Sequence, residues 1–306
     1  MKEFVEEISR RLSLERDLIE TDVLLHTLLL DLSRQPFWED FAFKGGSCLI
    51  KHYIGYYRFS LDLDFTFLDQ TVFEGLSQKT VRRMLSDRIG LLGELFEDIS
   101  KSRGLDFKCD KSVRRYVELG GGNKFVTFKL WHPSIIGVDT FVKIQVNFVE
   151  KLLFPTRRVE LKSICPQSEQ IRFLFPEDYV EYSASIPFTV YDVKEILCEK
   201  VRAILTRRGF KERDFVDVYF ILRKFTSMNL EDLESESLEK IGFALDLYEK
   251  YRKNLREKIP VLDVEGFPFG SEKHLLIQEI DESDFYSFLT SFMVWLKKIA
   301  DSLSEQ

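Results

Sequence analysis

Hydrophobic residues follow two different patterns along this chain, and the change between them falls near residue 187. Before that point, runs of β-branched and aromatic residues that predict strands alternate with helical spacing. The predicted strands cover 41–44, 61–67, 115–119, 124–131 and 141–149, with 157–164 either a strand or a loop, and helices are predicted over 13–33, 47–56 and 80–103. After it, only helical patterns occur, over 192–208, 212–225, 233–258 and 284–302. The patterning predicts an α/β (α+β) domain over residues 1–185, followed by an α-helical bundle domain over 186–306.

Cap residues predict where two of these helices begin. Ser13 has a side chain suited to the N-cap of the first helix. Asp192 and Glu195 have the spacing of a capping box, at the start of the helix that Gly209 closes.

Composition excludes some classes of protein. The chain has 306 residues and a net charge of −7, so no global positive field marks it as a nucleic-acid binder. One local run is basic, with Lys200, Arg202, Arg207, Arg208, Lys211 and Arg213.

The four cysteines are far apart without metal-ligand spacing, which predicts reduced thiols in a cytoplasmic protein. The first residues are charged, unlike a signal peptide, and no apolar run approaches the ~20 residues that span a bilayer, so no membrane association is expected.

The strongest chemical signal is a pair of aspartates in the second predicted strand. Asp62 and Asp64 are two residues apart, so their side chains share one face of the strand. Two neighbouring carboxylates repel each other unless a cation neutralises them. Carboxylate oxygens select Mg²⁺, with Mn²⁺ possible, and Mg²⁺ is usually held by one or two carboxylates and substrate phosphates. The pair therefore predicts a metal site.

A glycine-rich turn precedes this strand by one predicted helix. Gly45, Gly46 and Ser47 follow the strand over 41–44. Backbone N–H groups at the start of a helix form a ready phosphate site. The turn and the aspartates together predict a site for a metal-bound phosphate ligand.

The helix over 192–208 carries cations in its apolar stripe. At 100° per residue, Lys200 and Arg207 fall among Val193, Leu197 and Ile204. A lysine in a buried stripe needs a partner or a ligand. The wheel places Glu195, Glu199 and Arg202 on the opposite face.

The following helix repeats this anomaly with the opposite charge. Asp214 and Asp217 lie on the same face as Val218 and Ile221. One interpretation is an interhelical ion pair that joins Lys200 or Arg207 to one of these acids. The other is a phosphate site, and the two are compatible because such a site needs positioned cations.

These two blocks resemble one protein family. The first block reads Lys44-Gly45-Gly46-Ser47 and then Arg58-Phe59-Ser60-Leu61-Asp62-Leu63-Asp64-Phe65, and the second has Glu199-Lys200, Arg207 and Arg213-Asp214-Phe215-Val216-Asp217. In this order they resemble the AbiEii-type, MenT-like nucleotidyltransferase toxins of toxin–antitoxin systems. The resemblance implies a DNA-polymerase-β-like nucleotidyltransferase domain followed by a helical domain. It also implies transfer of a nucleoside monophosphate from an NTP to an RNA, with a tRNA 3′ end as a family substrate, and an antitoxin partner.

The resemblance assigns a role to each matching residue. Asp62 and Asp64 match the metal carboxylates, and Ser47 matches a turn residue that contacts the triphosphate. Lys200 matches the family's lysine, which would act from the helical domain. Asp214 matches the later aspartate. Two further positions match less closely: Asp217 is a nearby alternative for that aspartate, and Arg207 matches a basic position that holds phosphate.

One departure from the family pattern concerns the carboxylate that acts as the base. Many polymerase-β-like enzymes carry a third carboxylate on a later strand, but the candidate strand over 142–148 has Lys143, Gln145 and Asn147 on its polar face and no acid. The base would then be Asp214, a water molecule or an acid on another strand. Asp139 comes just before the candidate strand. Two other functions stay open. One is a small-molecule nucleotidyltransferase of the antibiotic-modifying kind, with the same metal site and a different acceptor; the other, prompted by Gln145 and Asn147, is a catalytically degenerate protein that binds NTP or a partner.

Overall fold

The computed structural model describes residues 1–265, 267 and 270–304, so residues 266, 268, 269, 305 and 306 of the predicted helical domain lie outside the described residues. The chain divides into two compact units. The first consists of Met1–Glu150 and Thr156–Val190, and the second of Lys151–Pro155 and Tyr191–Gln306.

Seven strands of the first unit form one mixed sheet. They are β1 (Phe41–Lys44), β2 (Asp62–Phe67), β3 (Val117–Gly120), β4 (Phe125–Pro133), β5 (Asp139–Asn147), β6 (Arg157–Leu161) and β7 (Ile186–Val190). Their order is β3-β4-β5-β2-β1-β7-β6. The pairs β2–β5 and β1–β7 are parallel, and the other neighbours are antiparallel.

The α-helices divide between the two units. In the first unit they are α1 (Lys2–Leu12), α2 (Arg16–Ser33), α3 (Gly45–Cys48), α4 (Gln78–Arg103), α5 (Glu169–Leu174) and α6 (Pro176–Tyr182). In the second they are α7 (Val193–Thr206), α8 (Glu212–Lys224), α9 (Glu234–Leu247), α10 (Glu249–Lys258) and α11 (Glu282–Ser304). The predicted α/β class is confirmed. Among the described residues, no helix has both the length and the apolar character needed to cross a membrane.

The two faces of the sheet differ in chemistry because side chains alternate along each strand. Phe65 of β2, Ile144 of β5 and Phe128 of β4 are buried on one face. Phe96 of α4 lies 4.9 Å from Phe128 between ring centroids, and Trp38 lies 4.8 Å from Phe65. This aromatic core stabilises the sheet and leaves the opposite face to polar side chains.

Several local predictions differ from the structure. The single helix predicted over 233–258 is divided into α9 and α10 at Tyr248, whose backbone is extended (φ −138°, ψ 100°). Ser13 ends α1 in the left-handed conformation (φ 56°), and α2 begins after Glu15, because Phe4, Val5 and Ile8 bury a helix before Ser13 that the sequence analysis did not predict. The helix after the glycine turn is only α3, continued by a π-helical turn at Leu49–Tyr53.

A further difference concerns the capping box of α7. Asp192 does cap the helix, since its carboxylate accepts from the N–H of Lys194. Glu195 is fully buried and its carboxylate bonds elsewhere: to the ammonium of Lys240 at 2.6 Å and to the N–H groups of Leu153 and Phe154 at 2.8 Å. The helical wheel places Glu195 and Glu199 on the face of α7 opposite the apolar stripe. This face is buried as well, because Lys240 supplies a charge partner there.

Candidate active site

The antiparallel pair β1–β2 brings the glycine turn beside the aspartates. Lys44, the last residue of β1, pairs with Asp64 of β2. Gly45 follows with φ +74°, a conformation that favours glycine. A Cβ at Gly45 would lie 2.5 Å from Oδ2 of Asp64. The turn and the carboxylate are thus in direct contact, although 19 positions separate them in the sequence numbering.

Two buried side chains hold the turn in place. The hydroxyl of Ser47 is fully buried and donates to the backbone carbonyl of Asp62, which ties the turn to the start of β2. Arg58 is also buried; its guanidinium lies under Gly46, where a Cβ would collide with it, and donates to the carbonyl of Phe59 at 2.6 Å. Arg58 is part of the sequence motif, but only the structure shows that it supports the turn.

Asp62 and Asp64 lie on the polar face of the sheet, as their spacing predicts. The parallel neighbour β5 places Lys143 opposite Asp62 and Gln145 opposite Asp64. The ammonium of Lys143 is 3.8 Å from Oδ1 of Asp62. The side chain of Asp62 is 18% exposed, so ligands can reach it. Lys143 was visible on the predicted strand, but its proximity to Asp62 depends on a strand pairing between distant segments.

The donor set suits a divalent cation only in part. The described residues contain no group of three or more His, Cys, Asp or Glu side chains that could hold a metal. Two carboxylates on one face do fit Mg²⁺, which takes its remaining oxygen ligands from water and substrate phosphates. Gly45 adds to this fit because, without a side chain, it allows the Asp64 carboxylate to lie directly beside the turn, where a Cβ would be 2.5 Å from Oδ2.

A further acid lies on the same face, just beyond the end of β5. Glu150 is buried, with Oε2 3.9 Å from the ammonium of Lys44 and 3.4 Å from the amide nitrogen of Asn147. Gln70 accepts from the N–H of Glu150 at 3.0 Å and so fixes the backbone there. The sequence pattern does not predict Glu150 as a third carboxylate, because this residue lies beyond the alternating positions of the strand.

The second unit contains the cations and acids predicted for α7 and α8. The ammonium of Lys200 lies 2.8 Å from Oδ1 of Asp214 and 2.6 Å from Oδ2 of Asp217. Arg207 donates to Oδ2 of Asp214 at 2.9 Å. The interhelical ion pair is therefore present, and it links the two helices through four charged side chains.

Burial and charge act in opposite directions on Asp214. Burial would raise the pKa of its carboxyl, but the cations of Lys200 and Arg207 hold that pKa below its usual value. Asp214 is therefore an ionised acceptor that positions two cations. The side chain of Arg207 is 45% exposed and that of Lys200 only 12%, so Arg207 is the more accessible cation.

Comparisons with known proteins agree with this architecture. A profile of the family described as "Nucleotidyl transferase AbiEii toxin, Type IV TA system" matches residues 27–293. Among solved structures, the chain is similar to MenT4, a nucleotidyltransferase toxin from Mycobacterium tuberculosis H37Rv. The TM-score is 0.55 at 18% sequence identity, and the match covers 98% of this chain and 93% of that chain. No curated protein matches the sequence. At this identity the structural likeness supports the fold alone, whereas the profile extends over residues of both units.

Proposed function

We propose that this chain, which belongs to the AbiEii family of nucleotidyltransferase toxins, transfers a nucleoside monophosphate from an NTP to the 3′ end of an RNA, a tRNA in particular. The acceptor hydroxyl oxygen forms a bond to the α-phosphorus, its proton passes to solvent or a base, and the bond between the α-phosphorus and the bridging oxygen to the β-phosphate breaks. Pyrophosphate leaves. By the same family membership, a cognate antitoxin is the protein partner.

The contact between Gly45 and Asp64 carries this proposal. A phosphate-binding turn and a pair of metal-type carboxylates serve one reaction only if they meet, and β1 and β2 make them neighbours. The N–H groups of Gly46 and Ser47 would hold the β- and γ-phosphates. Ser47 contributes its backbone in this role, because its hydroxyl already donates to Asp62.

A divalent cation held by Asp62 and Asp64 would neutralise phosphate charge. Mg²⁺ is the expected ion, and Mn²⁺ suits the same oxygen ligands. Lys200 and Arg207 would add positive charge at the phosphoryl oxygens, where charge accumulates during transfer. Asp214, with Asp217 as a second partner of Lys200, would orient these cations rather than take the proton, because an ionised carboxyl with a lowered pKa is a weak base.

The test is incubation of the protein with total RNA, Mg²⁺ and each α-labelled NTP in turn. Asp64→Asn removes one carboxylate charge at the turn, and Asp98→Asn is the matched control, since Asp98 lies on α4 with its side chain 80% exposed. We expect transfer by the wild type and by Asp98→Asn, and a loss of at least a hundredfold in Asp64→Asn, the scale of removing one transition-state contact. Undiminished transfer by Asp64→Asn overturns the assigned role. Mg²⁺-dependent NTP binding without pyrophosphate release identifies the degenerate alternative, and label on a small molecule identifies the other enzyme.

A further inference from the structure

Aromatic and cationic side chains form a continuous strip on the polar face of the sheet, starting at Asp62. We define this aromatic strip by Lys143 and Phe141 of β5, Trp131 of β4 and Arg115. The ring centroids of Phe141 and Trp131 are 4.5 Å apart, and the ammonium of Lys143 lies 5.6 Å from the Phe141 centroid. The guanidinium of Arg115 lies 3.9 Å over the Trp131 ring.

Strand register places these residues on the same face as the carboxylates. Asp62 pairs with Lys143, and Phe141 precedes Lys143 by two residues. Trp131 pairs with Phe141 across β4 and β5. Two strand spacings and two residues of rise separate Asp62 from Trp131, a distance of about 12 Å along the sheet surface. That span fits two or three nucleotides of a single strand.

The aromatic rings of the strip differ from those in the core. Trp38 and Trp295 are 3% and 5% exposed, whereas Trp131 and Phe141 are half-buried. The sheet's other face already contains the packed aromatic core, so these two rings are not needed there. Half-exposed aromatic rings with Arg and Lys side chains over them are the features on which single-stranded nucleic acid stacks.

The cations of the strip, and Lys129 beside it, are paired with acids, which determines how a single strand of RNA would bind. Lys143 lies 3.8 Å from Asp62. Arg115 lies 3.1 Å from Asp139 and 3.4 Å from Asp106. Lys129, the neighbour of Trp131 on the same face, lies 2.5 Å from Glu118. Little net positive charge is left, so stacking rather than phosphate attraction dominates. Binding would therefore depend less on salt than at a site built from unpaired lysines.

In-line transfer fixes the side from which the acceptor comes. The attacking and leaving oxygens lie on opposite sides of the α-phosphorus. In the proposed function, pyrophosphate leaves toward the Gly45–Ser47 turn, which lies beside β2 on the β1 side. The other neighbour of β2 is β5, and the aromatic strip begins there. We propose, on the basis of that function, that the strip binds the single-stranded 3′ end of the RNA acceptor, with one base on Phe141 and the next on the Arg115 guanidinium over Trp131.

Tryptophan fluorescence of the full-length protein tests this directly. Trp131 is the half-exposed member of the three tryptophans, so a base stacked at the strip quenches its emission. We expect quenching by an eight-nucleotide single-stranded RNA and no such quenching in Trp131→Phe. Phe141→Leu keeps apolar bulk without a π-face, and we expect it to weaken binding of the same labelled RNA roughly tenfold in fluorescence anisotropy. Phe173→Leu, at an 84% exposed ring on α5, is the matched control and should bind normally.

The outcomes separate this inference from the proposed function. Equal RNA affinity in Phe141→Leu and the wild type overturns the strip, even where NMP transfer is intact. Quenching of Trp131 by NTP and Mg²⁺ without RNA also overturns it, because the strip would then hold the nucleobase of the donor. Failure of all transfer by the wild type, with strip-dependent RNA binding preserved, overturns the proposed function instead and leaves the RNA-binding surface supported.

Discussion

Gly45 lies so close to Asp64 that no larger residue fits between the turn and the carboxylate: a Cβ would lie 2.5 Å from Oδ2. Gly45→Ala is expected to abolish most NMP transfer, because the new methyl group displaces the Asp64 carboxylate. Because φ is +74° at this position, alanine also lowers the free energy of unfolding by about 1–2 kcal/mol.

A substitution at Gly75 separates the clash with Asp64 from the cost of alanine at a positive φ. Its φ is +69°, and a Cβ there meets nothing within 4 Å. Gly75→Ala should therefore lose about the same 1–2 kcal/mol in urea unfolding and keep full transfer activity. Equal activity in the two alanine variants would show that the close approach to Asp64 has no role in transfer.

Asp214 predicts a pH dependence of the second unit's stability. Its pKa is lowered in the folded protein, so its contribution to unfolding free energy is complete above the unfolded pKa of about 3.9 and is lost as pH falls toward the lower folded pKa. Asp214→Asn leaves Lys200 with Asp217 and leaves Arg207 without this partner, and we expect it to lose about 3 kcal/mol near pH 7. In urea titrations, the gap between wild type and variant should narrow below about pH 4; a constant gap contradicts the ion-pair explanation.

His26 predicts a second, separate pH dependence in the first unit. Burial, and then the nearby Lys51 cation, lower the pKa of His26 to about 3. The unfolded chain takes up this proton near pH 6.5 and the folded chain does not, so stability falls as pH decreases from 6.5 to about 3. The slope for one proton is about 1.4 kcal/mol per pH unit. His26→Gln retains a donor for the carbonyl of Ala184 and should flatten the curve, whereas His274→Gln, at an exposed position, should leave the slope unchanged.

Lys240 is expected to be essential for the stability of the second unit. Its buried ammonium bonds Glu195 at 2.6 Å and the backbone carbonyl of Lys151. Lys240→Met leaves the Glu195 charge buried without this cation, at an expected loss of about 3–5 kcal/mol in unfolding free energy. The control is Lys151→Met, which removes a surface ion pair to Glu239 and should change stability by less than about 1 kcal/mol. Similar losses in both variants would contradict this difference in burial.

Local pattern predicted much of the first unit. Alternation and helical spacing correctly place the strands at Phe41–Lys44 and 61–67 and the long helix that ends before Gly104.

The sequence pattern gave a wrong prediction at α7, where a one-sided apolar stripe predicted that the opposite face is polar and exposed. Glu195 is buried there because Lys240 comes from α9, and a helical wheel of α7 cannot contain a partner from another helix.

By itself, the sequence determined that Asp62 and Asp64 share a face, since that follows from the two-residue period of any strand. It also determined that a glycine turn precedes them and that charged residues occupy apolar faces of α7 and α8. Only the tertiary structure decided what stands beside each carboxylate. The aromatic strip, which begins at Lys143, reaches Asp62 through the pairing of β2 with β5, segments about 80 residues apart. Gly45 reaches Asp64 through the pairing of β1 with β2. Such pairings depend on packing the whole aromatic core, which local periodicity does not encode.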